Sequence, residues 1–208
     1  MKNQLQQIFA EISQVRQQMT EIRQSFQKKY EEELLQSSKQ KTIPKAIGKL
    51  GENKVSAIKA KYQEVLNQDT EGLKQKLESL EQDFLNLSQE YQFPKDNGNN
   101  WEVYKTSHLY TYLTQGLGAD SYARNALSTS VAHCTALGLE TKTTYDGEVN
   151  AYRLWIKGDE VDVAIAQNKP GLSLAETVQA LWKSGVNPRV IFPFLPWGFE
   201  EKHGISYT

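Results

Sequence analysis

The sequence predicts an α+β protein: a long N-terminal helical coiled-coil arm, then a small mixed α+β domain with a mostly antiparallel sheet. Three observations carry this. Apolar residues recur at Leu5, Ile8, Ile12, Val15, Met19, Ile22 and Phe26, alternating steps of three and four through otherwise polar sequence. A second long polar helix follows, separated from the first by Pro44, Gly48 and Gly51. All four Trp lie beyond residue 100, where short alternating runs and an Asp-Gly turn replace helical spacing. The expected division is residues 1–92 as arm, 93–100 as linker and 101–208 as the compact domain.

The first helix is read over residues 3–41. Its stripe slips by one residue near Lys29, where Tyr30 and Leu34 take over from Lys29 and Glu33. Residues 42–51 break the arm, although Ile43, Ala46, Ile47 and Leu50 are spaced to form a short turn of helix. The second helix is read from Glu52 to Tyr91. Its stripe is Val55, Ile58, Tyr62 and Val65, then Leu73, Leu77, Leu80, Phe84, Leu87 and Tyr91, out of phase across residues 67–72. Two helices of similar length around a Pro/Gly break favour an antiparallel hairpin, on the order of 60 Å long. The alternative is two successive segments of a parallel oligomer. So narrow a stripe cannot bury itself, and the regular seam from Leu5 to Phe26 is expected to face a partner chain while the rest of the arm folds back on itself.

The polar loop FPKDNGNN leads into the second domain. There the reading is a short helix over 101–117 and a helix from about Asp120 to Leu137, stopped by Gly138. Strands follow at 139–145 and 150–156, joined by the Asp146-Gly147 turn, and then at 161–166. Ser173 caps a helix to about Lys183, and 189–194 is read as a last strand.

Charge narrows the function. The net charge is -1, and the calculated pI is 6.3. Residues 1–92 hold 14 Lys/Arg against 13 Asp/Glu. No basic excess exists for general phosphate neutralisation. The single cysteine, Cys134, excludes an intrachain disulfide framework. No apolar run suits a signal peptide or a membrane span. The expectation is a cytoplasmic protein with no membrane contact and no cofactor.

Chemistry-bearing residues are sparse. Asp159, Glu160 and Asp162 form the densest acidic cluster. On a strand, Glu160 and Asp162 would share a face and could hold a cation; a solvated hairpin turn explains them equally well. His108, His133 and His203 lack metal-ligand spacing, and no phosphate-binding loop is present. Asp146 is followed, after 20 intervening residues, by Gln167-Asn168-Lys169. In the order helix, three strands, helix, strand, this spacing resembles the minimal core of the PD-(D/E)XK nuclease superfamily over roughly 70 residues. The resemblance implies a metal-dependent nuclease with Asp146, Gln167 and Lys169 at its centre. The sequence departs from that pattern: Gln167 supplies no charge for a divalent cation, and Asp146 fits the first position of an Asp-Gly turn. A winged-helix DNA binder is another alternative, with residues 120–137 as recognition helix and 139–156 as wing, although only Arg124, Lys142 and Arg153 offer phosphate contacts.

The segment FPFLPWGF places Phe194, Trp197 and Phe199 among prolines and glycine. It can wrap over the core or present a rigid aromatic anchor. The leading expectation is therefore a non-enzymatic assembly or adaptor subunit, a homo-oligomer or member of a hetero-complex. Its arm associates or docks, and its C-terminal domain binds a protein partner.

Overall fold

A computed structural model describes residues 1–109, 119–169, 171–192 and 195–207, with backbone alone for 119–126 and Ile191. The chain forms two compact units, Met1–Leu87 and Ser88–Thr208.

In the first unit, α1 (Lys2–Ser38) and α2 (Ile43–Glu90) pack as the antiparallel hairpin that the break predicts. Contacts run in opposite senses along the two helices. Phe9 meets Phe84, and Phe26 and Tyr30 meet Tyr62. Arg16 pairs with Glu81 and Lys61 with Glu33. The turn lies at residues 39–42, where Lys39 takes a left-handed conformation (φ 52°) and its N–H closes on Gln36 O. Residues 43–50 are helical, so Pro44 occupies a first turn, where its missing N–H costs nothing. The true interruption is Gly51, at φ 75° and ψ 161°, a conformation that side chains resist.

The seam through α2 differs from its expected course. Val65 points outward, 40% exposed. The stripe instead runs Ile58, Tyr62, Leu66, Thr70 in steps of four before returning to Leu73, Leu77, Leu80 and Phe84. Thr70 is 2% exposed, and its hydroxyl donates to Leu66 O at 2.7 Å. The facing part of α1 steps likewise through Phe26, Tyr30, Leu34 and Ser38. Steps of four locally unwind a left-handed supercoil, so both helices relax at the same level.

The second unit holds a three-stranded antiparallel sheet in the order β1-β3-β2. Its strands are β1 (Trp101–His108), β2 (Thr141–Asp146) and β3 (Ala151–Lys157). Helix α3 (Ala119–Ala136) precedes β2. After β3 come α4 (Glu160–Asn168), α5 (Leu174–Lys183), α6 (Pro188–Ile191) and α7 (Phe199–His203). Ile156 of β3 packs with Cys134 of α3, Leu139, and Val163 and Ala166 of α4, so both helices cover one sheet face. Burial raises the Cys134 thiol to about 12, which makes it an inert core group. Among the described residues no helix is long and apolar enough to cross a membrane.

Three expectations fail here. Residues 101–108 are a strand, not a helix: Trp101, Val103 and Thr106 suit a pleated surface and pair with β3. Residues 109–117 of that expected helix are outside the description beyond Leu109. The apolar run 161–166 is helix α4, not a strand. Asp159 caps it by accepting from Val161 and Asp162 N–H groups, and Asp162 returns the bond to Asp159 N–H. Gly158 is required beside this box, because an added Cβ would sit 2.6 Å from the Asp162 carboxylate. Where a last strand is expected over 189–194, residues 188–191 are a helical turn, and residues 193 and 194 lie outside the described residues. Asn187 caps that turn and Pro188 occupies its first position. The helix capped by Ser173 and Glu176 is found as expected.

Candidate functional site

The C-terminal segment builds an exposed aromatic surface on a rigid base. Pro188 starts α6 and sets Arg189 one residue later. The turn Pro196-Trp197-Gly198 then leads into α7, whose second residue is Glu200. The Arg189 guanidinium binds both carboxylate oxygens of Glu200, with Nη2 at 2.8 Å from Oε2 and Nη1 on Oε1. Trp182 Nε1 donates to the same Oε1 at 3.3 Å. Glu200 is fully buried. The hydrogen bond from Arg189 holds its carboxyl far below the usual range, at about 2. The guanidinium also donates to Pro196 O at 3.4 Å and lies 5.4 Å from the Trp197 ring centroid. Trp197 is thus tethered by its backbone turn and by a cation whose own position is fixed, yet it is 93% exposed. Val190 (78%) and Tyr207 (55%) are exposed as well. Tyr207 stands edge-on to Trp182 at 5.1 Å.

Of the two described aromatic residues read as an anchor, Trp197 and Phe199, Trp197 is the one displayed. Phe199 turns inward against Val178, Leu195 and Ile205, with its ring 4.3 Å from that of His203. Phe194 lies outside the described residues. Arg189, Glu200 and Tyr207 escaped the sequence reading. The usable signal was Asn187-Pro188, a helix start that removes the segment from the strand class.

The seam residues also have their places. Leu5, Ile12, Val15 and Met19 are buried, and Ile8, Ile22 and Phe26 are half-buried. The helix that α1 lies against is α2 of the same chain. On the outside of the hairpin, Met1, Ile47 and Val65 are exposed large apolar residues.

The nuclease-like set is dispersed. Asp146 ends β2, where it pairs with Arg153 at 2.8 Å and accepts from the N–H groups of Glu148 and Val149. Burial alone would raise its carboxyl; those hydrogen bonds outweigh it and hold it below the usual range. Gln167 is on α4, donating to Tyr104 O at 2.9 Å. Tyr104 is the bulged residue of β1, between Val103 opposite Trp155 and Lys105 opposite Leu154. Asp146 is opposite Ala151 instead. That offset of three or four residues along β3 corresponds to roughly 10 Å. Lys169 donates to Tyr91 O at 2.8 Å beside the Phe93 ring, and burial lowers its pKa. Gln167 and Lys169 are not on a strand, and the strand order behind the nuclease resemblance is not the one the chain adopts.

The acidic cluster likewise serves the fold. Asp162 is fully buried in its capping box and accepts from Tyr91 OH at 3.4 Å, while Glu160 faces solvent. Among the described residues no group of three or more His, Cys, Asp or Glu side chains is placed to hold a metal ion. In comparisons with known proteins, no family model, no curated protein and no solved structure matches the chain.

Proposed function

We propose that this chain is a non-enzymatic assembly or adaptor subunit that docks a protein partner through the surface around Trp197. The observation that supports this reading is a large aromatic side chain almost wholly in water on a backbone already fixed by Arg189 and Glu200. Trp, Tyr and Arg dominate binding hot spots, and an anchor that is rigid before binding loses little freedom on docking.

The test is quantitative capture from a native extract by the tagged full chain and by Trp197→Ala, with circular dichroism showing both folded. A specific partner should be retained by the parent and lost by the variant. The same captured proteins in equal amount from both would end this reading.

A second reading has one observation in its favour. The hairpin β2–β3 follows α3 directly, as a winged-helix DNA binder requires, with β1 as third strand. Its turn, however, carries Asp146 and Glu148, which repel phosphate. Salt-dependent binding to duplex DNA tests it; no binding at low salt removes it.

A further inference from the structure

The sheet has two edges, and they are treated differently. Along β1 the Tyr104 bulge breaks the register, and the Gln167 side chain takes up the bulged carbonyl. Such devices stop a foreign strand from pairing. β2 carries neither. Its sequence, Thr-Lys-Thr-Thr-Tyr-Asp, contains no proline and shows four exposed residues in succession, Lys142–Tyr145.

The hydrogen-bond parity of β2 is fixed by its pairing with β3. Lys157 N–H donates to Glu140 O at 2.9 Å, and the register continues as Lys142 opposite Trp155, Thr144 opposite Arg153 and Asp146 opposite Ala151. These residues point their backbone groups at β3. Thr141, Thr143 and Tyr145 therefore point theirs outward, and no backbone hydrogen bond outside the sheet engages them among the described residues.

We propose that this edge pairs antiparallel with β2 of a second copy of the chain, with Thr144 opposite Thr144 across a two-fold axis, so that two sheets become one. The inference rests on β2 alone and is independent of the Trp197 reading. In this register Thr143 meets Tyr145 of the second copy, and both present outward backbone groups, so each such pair exchanges both of its N–H···O bonds. A slip of one residue would set outward groups against inward ones and make no ladder. Within Thr141–Asp146, this is the register that places Lys142 opposite Asp146, and symmetry provides that pair twice. Lys142 has no carboxylate partner among the described residues; its ammonium rests 4.1 Å from the Trp101 ring centroid. A lysine in mid-edge deters unrelated strands. Against its own copy that charge is matched. The side-chain pairs, Lys–Asp, Thr–Thr and Thr–Tyr, are all types that stabilise antiparallel sheets.

The experiment uses the full chain. Sedimentation across the micromolar range should show a concentration-dependent dimer. Lys142→Glu, which puts like charges opposite Asp146 of the second copy, should raise the dissociation constant by roughly tenfold. Thr143→Pro removes an outward N–H without touching the bonds to β3 and should abolish the dimer. Thr144→Cys reads the register. Directly opposed, non-hydrogen-bonded residues have Cα atoms about 4.5 Å apart, within disulfide reach. Mild oxidation should therefore give a covalent dimer with Thr144→Cys and little with Thr143→Cys. Thermal melts with a retained native transition keep misfolding out of the reading. A monomer at every concentration, a dimer indifferent to Lys142→Glu and Thr143→Pro, or faster cross-linking at residue 143 would each overturn the proposal.

Discussion

The two units hold themselves together in opposite ways. The hairpin arm spreads its stability over a long seam in which each layer resembles the next: Leu5, Ile12, Val15 and Met19 from one helix, Leu73, Leu77, Leu80 and Phe84 from the other. Its ion pairs, such as Arg16–Glu81, lie on the surface, with side chains 61% and 45% exposed. The C-terminal unit concentrates its polar interactions at a few buried points: the Asp159–Asp162 box, and the Arg189–Glu200–Trp182 cluster. The difference teaches that loss of one layer is tolerable in a repeating seam, whereas a buried polar point fails as a whole. Removing one partner leaves the other desolvated and unpaired.

The largest expected effect is therefore at Glu200. Glu200→Gln should destabilise the C-terminal unit by about 3 kcal/mol, since it strands the Arg189 guanidinium. The effect has a pH signature. The folded carboxyl sits at about 2, well below its ordinary value. Its contribution is thus complete above the unfolded pKa, near 4.3, and is lost as pH falls from there towards 2. Thermal unfolding as a function of pH should show a steep acid limb in the parent that is shallower in Glu200→Gln. Parallel limbs would mean that this pair is not the point of concentration.

The same contrast explains what could be read from the sequence. The arm announced itself because its signal repeats: an error at one position, such as taking Val65 for Leu66, left the helix and the hairpin intact. The C-terminal unit gave each element one chance. Residues 161–166 are too short for spacing to separate strand from helix. The Asp159-x-x-Asp162 cap before them was the arbitrating signal, as Ser173-x-x-Glu176 was for α5. Residues 101–108 were misread because Leu109, Tyr112 and Leu113, just beyond them, fall at steps of three and four and drew the whole segment into one helix. Of the aromatic anchor, Trp197 was legible as a residue. Its exposure and the inward turn of Phe199 were not, because both follow from where Arg189 and Glu200 meet in space.

A seam residue should cost less than Glu200 does. Ile12→Ala removes one buried layer of the arm and should destabilise it by about 2 kcal/mol, the lower end of the range for such truncations, because a two-helix seam can partly close around the gap. Helical circular dichroism during denaturation measures it. A loss of the whole arm transition from this single change would break the picture of a distributed seam. Gly51→Ala sharpens it from another side. The substitution opposes a positive φ in open space, in a region of backbone conformation that is nearly exclusive to glycine, so the strain is local and should cost about 1–2 kcal/mol without altering the rest of the hairpin.

The smallest effect is expected where the arm looks most ornate. Arg16 Nη2 lies 2.7 Å from Glu81 Oε1, the geometry of a good ion pair. Both side chains are largely in water, where ordering them offsets most of the Coulomb gain and salt screens the remainder. Arg16→Ala should therefore change the stability of the arm by less than about 0.5 kcal/mol at low salt and by nothing measurable at about 1 M salt. Denaturation at the two ionic strengths decides it. A loss comparable to that of Ile12→Ala would mean that the hairpin, too, hangs on single polar points, and the contrast between the two units would no longer hold.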